Sequence, residues 1–481
     1  MIEYRDDLVI GISPKWRLRP DHGRGLIYKH SINDLVWQWV PLPIAISISL
    51  MDGKRPAAMI VKDLVQLLSL RDEPEGLILF KAAIGLSNEA TEPFLIELKG
   101  GCDEVTHVNL KRFLELNNCP RNPKSMAIGQ LQIPLQLLFM PTNECRTNCI
   151  YCYSERRAIS SKLLLSPKRW GELIDEAGLL GIDMLVFSGG DPLLYHCIDY
   201  LLQKLSKWRI EYVLPTKTYI SYQRAQEFSE LCSGGGTIQI SIDGVSPDVI
   251  DHLVGYSGFC KQAWSSIDHL VKTGVRVRTQ SVVTPLNLSE TPELIRMLYQ
   301  YGIRDATITN YSRSFFRHSD SLFLSPTQME KLNETIARLK AELKWEDLKC
   351  NVGVNDPALM SLDQKKSSWL KRAGCSGGKS SMAITPSGHV ILCEQMPQEE
   401  PFIVGNVREN TLQEVWYSPR VAQFVFPPKE SFQSTSCEQC DEFDDCHCAH
   451  GRCFRDAYFV YGKLNHPSPN CPKAPAAVRM G

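Results

Sequence analysis

The chain has 481 residues, 43% of them hydrophobic, and a formal net charge of −1. That length predicts two or three domains, and the charge balance lacks the basic excess of a nucleic-acid binder. The most apolar early run, Val36 to Met51, is broken by Pro41 and Pro43 and falls short of the ~20 residues that span a bilayer, while the charged N-terminus, Glu3 to Asp7, has no signal-peptide core. A cytoplasmic protein without membrane or nucleic-acid partners is expected.

In chain order, Leu8–Ile12 reads as a short strand, and Trp16–Leu18 and Leu26–Tyr28 flank the hairpin signal Asp21-His22-Gly23. A further strand is expected at Trp37–Leu42. After the Gly53–Pro56 break a helix places Ile60, Leu64, Leu67 and Leu68 on one face. Asp72 to Pro123 is poorer in pattern and reads as a linker with short elements of its own. Residues 1–120 thus suggest a winged-helix-like module.

From about 130 to 345, strands and helices alternate. Gln136–Met140, Met184–Phe187, Glu211–Leu214, Thr237–Ile242, Val275–Val283 and Ala306–Thr309 are the strand candidates, and Ser166-Pro167 is a helix start. Repeated strand–helix units imply a parallel sheet with right-handed crossovers. Six of them predict an α/β partial (β/α)6 barrel, with its site at the C-terminal ends of the strands. Residues 346–481 are cysteine-rich and show little helical period apart from Thr411–Trp416.

The 17 cysteines are clustered. In a long chain of cytosolic character, clustered cysteines point to metal or cluster ligation rather than disulfides. Cys102, Cys119, Cys197, Cys232, Cys260 and Cys350 are scattered and read as small buried residues. Cys145, Cys149 and Cys152 follow the first barrel strand with spacing C-x3-C-x2-C. A fully capped iron–sulfur cubane takes four protein ligands, so three in one loop leave one iron open to an exogenous amine and carboxylate. Structural zinc also takes four ligands, and no fourth lies in this loop.

This loop resembles the signature of the radical S-adenosyl-L-methionine (SAM) superfamily, with Tyr151 as the aromatic before the last cysteine. In that family the aromatic lies beside the adenine, and reductive cleavage of SAM gives a 5′-deoxyadenosyl radical. Ser188-Gly189-Gly190-Asp191-Pro192 is similar to the family's Gly-Gly-Glu-Pro motif, whose backbone and acid hold the methionyl amine. Ser241-Ile242-Asp243-Gly244 resembles the fourth-strand motif, which implies Ser241 and Asp243 near the ribose or carboxylate; Asp-Gly also makes an ordinary turn. Tyr153, Arg313 and Arg317 stand within reach of the barrel mouth, the arginines reading first as solvated surface charges.

Cys375, then Gly388 to Cys393, then Cys437-x2-Cys440-x5-Cys446 are similar to the SPASM domain, a carrier of auxiliary clusters. The next family cysteine would fall at His450; instead Gly451-Arg452-Cys453 stands where the family has Gly-Gly-Cys, with Cys448 extra and Cys471 last. The resemblance implies a first auxiliary set of Cys375, Cys393 and Cys453 and a second of Cys437, Cys440, Cys446 and Cys471. Cys448 is either the fourth ligand of the first set or a substitute for Cys446. Three 4Fe–4S clusters are therefore expected, with an open iron possible in the first auxiliary one.

The first ~100 residues resemble a RiPP recognition element, which binds a leader peptide as an added strand; here the groove would lie between Trp37–Leu42 and Met59–Leu68. Together these resemblances imply a maturase of ribosomal precursor peptides, served by an external reductant such as flavodoxin or ferredoxin. Thioether formation, as in sactipeptide and ranthipeptide synthases, leads, leaning to β/γ- over α-carbon attachment. An auxiliary cluster would take up the electron. Carbon–carbon cross-linking, sulfatase-type maturation and a non-catalytic zinc or iron–sulfur protein stay open.

Overall fold

The computed structural model describes residues 1–29, 36–98, 105–114, 123–353, 360–372 and 374–475. They fall into two compact units, Met1–Gln132 and Ile133–Gly481.

The first unit carries β1 (Val9–Ile12), β2 (Trp16–Asp21), β3 (Arg24–Lys29), β4 (Trp37–Val40), β5 (Asp52–Pro56) and β6 (Leu95–Glu97). Two antiparallel sheets result, ordered β5-β1-β6 and β2-β3-β4. The β2–β3 turn holds His22 at φ 47° and Gly23 at φ 76°, the double positive φ of a tight hairpin matched to strand twist. β4 stops at Val40 instead of Leu42, because Pro41 and Pro43 start the helix Leu42–Leu50. That helix buries six consecutive residues, Ala45 to Leu50, so it presents no stripe for a periodicity reading to detect. The helix Ala57–Leu68 turns Ala57, Ile60, Val61 and Leu64 inward and leaves Leu67 exposed. Glu73–Glu89, in the stretch taken for a linker, is a 17-residue helix capped by Asp72. Gly76 lets it approach its neighbour: a Cβ there would lie 2.9 Å from the Val61 carbonyl oxygen.

The second unit is built on one ten-stranded sheet. Its strands are β7 (Gln136–Phe139), β8 (Met184–Phe187), β9 (Glu211–Thr216), β10 (Gly236–Ser241), β11 (Val277–Val283), β12 (Asp305–Asn310), β13 (Leu348–Asn351), β14 (Ser381–Ile384), β15 (His389–Ile391) and β16 (Gly405–Asn406). β7 to β13 lie side by side in chain order and all parallel. Helices cross over between successive strands of this series. The first, Pro167–Leu180, starts where Ser166 caps the Arg169 N–H and ends at Gly181 in the left-handed region. The six expected strands are all present, the expected partial barrel.

β7 is not an open edge. β14 pairs with it in parallel, and β15 and β16 continue antiparallel. The C-terminal strands therefore complete the barrel's sheet, which is why residues 133–481 form one unit. The same region carries helices Leu362–Lys371, Leu412–Trp416, Pro419–Val425, Phe443–Ala449 and Phe454–Tyr461. All but the second were unforeseen. Among the described residues no helix is long and apolar enough to cross a membrane.

Candidate cluster and cofactor site

The loop after β7 carries Cys145, Cys149 and Cys152 at the C-terminal end of the barrel strands. Its shape is fixed by its backbone. Asn148 N–H donates to the Val254 carbonyl (2.7 Å) and Ile150 N–H to that of Leu253 (3.0 Å). Two arginines hold the loop's carbonyls: Arg156 those of Thr147 and Cys145, and Arg317 those of Asn148 and Cys149. Arg317, read from sequence as a solvated charge, is thus a latch on the loop. The buried Thr147 hydroxyl lies 3.3 Å from Cys145 Sγ and 3.4 Å from Cys149 Sγ.

The glycine motif after β8 packs on this loop. Gly190 N–H donates to the Thr142 carbonyl (2.8 Å) and Asp191 N–H to that of Glu144 (2.6 Å). Gly189 takes φ 101°, and a Cβ on Gly190 would lie 2.0 Å from the Glu144 oxygen. The glycines therefore permit a close approach of two loops. Asp191 is buried, and its carboxylate accepts from the hydroxyls of Thr216 (2.8 Å) and Thr218 (3.0 Å) and from the N–H groups of Leu193, Lys217 and Thr218. It ties the end of β8 to the end of β9.

Asp243, 2% exposed, is more than a turn residue. Oδ1 accepts from Val282 N–H (2.8 Å), and Oδ2 from the Tyr151 hydroxyl and Lys217 Nζ (3.2 Å). Ser241 presents its carbonyl to Lys217 Nζ at 3.0 Å. Burial disfavours the Lys217 ammonium, but Asp243 and the Cys149 sulfur outweigh it and hold its pKa above the ordinary lysine value. Burial, then Asp243, drives the Tyr151 phenol well up. Lys217 went unnoticed in the sequence; its one signal was its place directly after the C-terminal end of β9.

Glu394 is the second residue missed. It follows Cys393, and its carboxyl takes hydrogen bonds from Ser188 and Tyr153. Burial raises its pKa against those two bonds. One carboxyl thus links the glycine motif, the end of the cysteine loop and an auxiliary cysteine.

The C-terminal cysteines sort into two sets. Cys437, Cys440, Cys446 and Cys471 line a single cavity with His447 and Arg452. Cys375 lies within electrostatic reach of both Cys393 and Cys453. Cys453 also caps the helix Phe454–Tyr461, its Sγ accepting from Asp456 N–H at 3.4 Å. Cys446 stands in the second set, and the extra Cys448 is exposed beside Lys379, Asp444 and Asp445. Of the scattered cysteines, Cys232 and Cys260 are buried, Cys197 is half-buried and Cys350 is exposed, contrary to expectation; Cys102 and Cys119 lie outside the described residues.

These donor sets fit iron–sulfur clusters. Three sulfurs share one pinned loop with no fourth cysteine in it, and four others line one cavity with cations at their sulfurs: Arg372 Nη2 lies 3.3 Å from Cys446 Sγ and Lys473 Nζ 3.5 Å from Cys440 Sγ.

Known proteins agree with this arrangement. Residues 139–298 match the radical SAM superfamily, and residues 375–446 match SPASM, an iron–sulfur cluster-binding domain. A PqqA peptide cyclase of Rhizobium meliloti is 24% identical over 72% of this chain and 89% of its own length. An AdoMet-dependent heme synthase of Methanosarcina barkeri is 22% identical over 72% of this chain and 98% of its own. In fold, Streptococcus suis SuiB bound to S-adenosylmethionine is similar at TM-score 0.68 and 16% identity, over 98% of this chain and 100% of SuiB. A likeness of that extent takes in the N-terminal unit. The anSMEcpe protein with bound AdoMet reaches TM-score 0.51 at 17% identity, over 71% of this chain and 94% of its own. Sequence motif, strand order and family match converge: residues 139–298 carry a radical SAM domain, and residues 375–446 after it a SPASM domain.

Proposed function

We propose that this protein is a maturase that installs thioether cross-links, cysteine sulfur to carbon, in a leader-bearing ribosomal precursor peptide. The observation that carries the peptide reading is the likeness to SuiB along 98% of the chain, together with a SuiB structure described as bound to precursor peptide SuiA. In this reading Cys145, Cys149 and Cys152 hold the cluster. Tyr151, Ser188, Gly189, Gly190, Asp191, Ser241 and Asp243 form the SAM pocket, and Lys217 supplies its buried cation. When bound, SAM and its cluster supply the radical that abstracts hydrogen from the peptide.

Cys375, Cys393 and Cys453 hold one auxiliary cluster, and Cys437, Cys440, Cys446 and Cys471 the other. The first set brings three sulfurs, which leaves room for a substrate thiolate. The leader adds as a strand to β4, an edge strand of its sheet. An external flavodoxin or ferredoxin supplies the electron, in the cytoplasm.

Co-expression with a candidate precursor peptide, followed by mass spectrometry, tests the reading. A core peptide two hydrogens lighter per link, with its cysteines closed to alkylation, supports a thioether. Fragmentation then assigns the acceptor carbon, for which β or γ is proposed. The relatives named as peptide cyclases favour a second reading, cyclisation that leaves sulfur untouched. A lighter peptide with freely alkylated thiols would establish it instead.

A further inference from the structure

Arg452 belongs to both auxiliary sulfur sets at once. It directly precedes Cys453 of the first set, and its side chain lines the cavity of the second beside Cys437, Cys440, Cys446 and Cys471. It is 5% exposed. The guanidinium stacks 4.9 Å over the Phe432 ring, donates through Nη1 to the Leu464 carbonyl and places Nη2 3.4 Å from Asn465 Oδ1. Its Nε–H has no hydrogen-bond partner among the described residues. A buried, permanently charged guanidinium with an orphaned donor is unfavourable unless something anionic completes it. The thiols within electrostatic reach of it are Cys437 and Cys446 from one set and Cys453 and Cys375 from the other.

Neighbouring cations are arranged differently. Arg372 and Lys473 donate to sulfurs of the second set. Arg455 bears on Cys393 and Cys453 of the first and is paired with Asp456. Lys379 is engaged by the carbonyls of His447 and Cys448. Arg452 combines burial, an unmade N–H bond and thiols of both sets within electrostatic reach.

We propose that Arg452 is a fixed positive charge shared by the two auxiliary clusters, raising the reduction potential of both. A cation beside a cluster stabilises its reduced, more negative state, and net charge with hydrogen bonds to sulfur sets the potential. This rests on the reading that both sets hold clusters.

The test is an EPR-monitored redox titration of the full chain, reconstituted anaerobically, with Cys145, Cys149 and Cys152 replaced by Ala so that only auxiliary signals remain. Arg452→Gln is expected to lower the midpoint potential of both couples with iron and sulfide content unchanged. Arg452→Lys, which keeps the charge and loses the fork, is expected to fall between the parent and Arg452→Gln. Unchanged potentials in Arg452→Gln, a shift in one couple only, or a Lys variant indistinguishable from the Gln variant would overturn the shared-charge role. Iron lost from both variants would reduce Arg452 to a packing residue. A parent without auxiliary iron would instead overturn the cluster reading itself.

Discussion

The cysteine loop after β7 and the C-terminal cysteine region gather sulfurs in opposite ways. In the loop, three cysteines lie within eight residues, Cys145 to Cys152, and backbone hydrogen bonds to Val254 and Leu253 set their geometry. In the C-terminal region a set gathers cysteines from far apart: Cys375, Cys393 and Cys453 in one, Cys437 through Cys471 in the other. There the walls are short helices and buried cations. A local motif survives as spacing in the sequence; a distributed one exists only once the chain has folded.

The largest expected effect falls on the local site. Replacing Cys145, Cys149 and Cys152 by Ala should remove one cluster's worth of iron and all SAM cleavage, while the auxiliary iron stays, as read by iron analysis and 5′-deoxyadenosine formation. The distributed site should respond selectively. Cys446→Ser is expected to cost one auxiliary cluster, and Cys448→Ser to leave the iron content unchanged. Equal losses would show that the exposed Cys448 serves as a ligand.

Asp243→Asn probes the pocket between the strand ends. It leaves the Lys217 ammonium buried without its counter-ion, and breaking a buried pair costs about 3–5 kcal/mol. A matching loss of unfolding free energy and weaker SAM binding are expected; a variant as stable as the parent would show that Lys217 is solvated. Gly190→Ala forces a Cβ to within 2.0 Å of the Glu144 oxygen, and such overpacking costs about 1–3 kcal/mol. Because the displaced partner is the cysteine loop, the SAM cleavage rate should fall more than stability does.

The smallest effect lies in the other unit. Burial holds the His22 imidazole below its ordinary pKa, so the folded state favours the neutral ring. Its contribution is complete above the unfolded value of about 6.5 and is lost as pH falls through the window below that. A modest drop in the melting temperature of the N-terminal unit between neutral and mildly acidic pH, reduced in His22→Asn, would bear this out.

What was legible in the sequence follows the same division. The six barrel strands, the Ser166-Pro167 helix start and the cysteine loop are local patterns with strong punctuation. The helix Leu42–Leu50 was hidden because its buried residues run consecutively, and Glu73–Glu89 because it was read as linker. Lys217 and Glu394 were missed, and Arg317 was misread as a solvated charge, for another reason: each acts on a partner away in the chain, 26 residues for Lys217 and Asp243, 168 for Arg317 and Cys149 and 206 for Glu394 and Ser188. The sorting of Cys446 from Cys448 likewise needed the helix Phe443–Ala449, whose turn sends the two sulfurs to different places.

The central claim is that radical generation at the loop is directed at a peptide. The direct measurement is 5′-deoxyadenosine release by the anaerobically reconstituted protein with SAM and a reductant, with and without the precursor peptide. The account predicts release that rises with the peptide, yields a product two hydrogens lighter per link, and disappears when Cys145, Cys149 and Cys152 are replaced. Release indifferent to the peptide, with the peptide's mass unchanged, would contradict it.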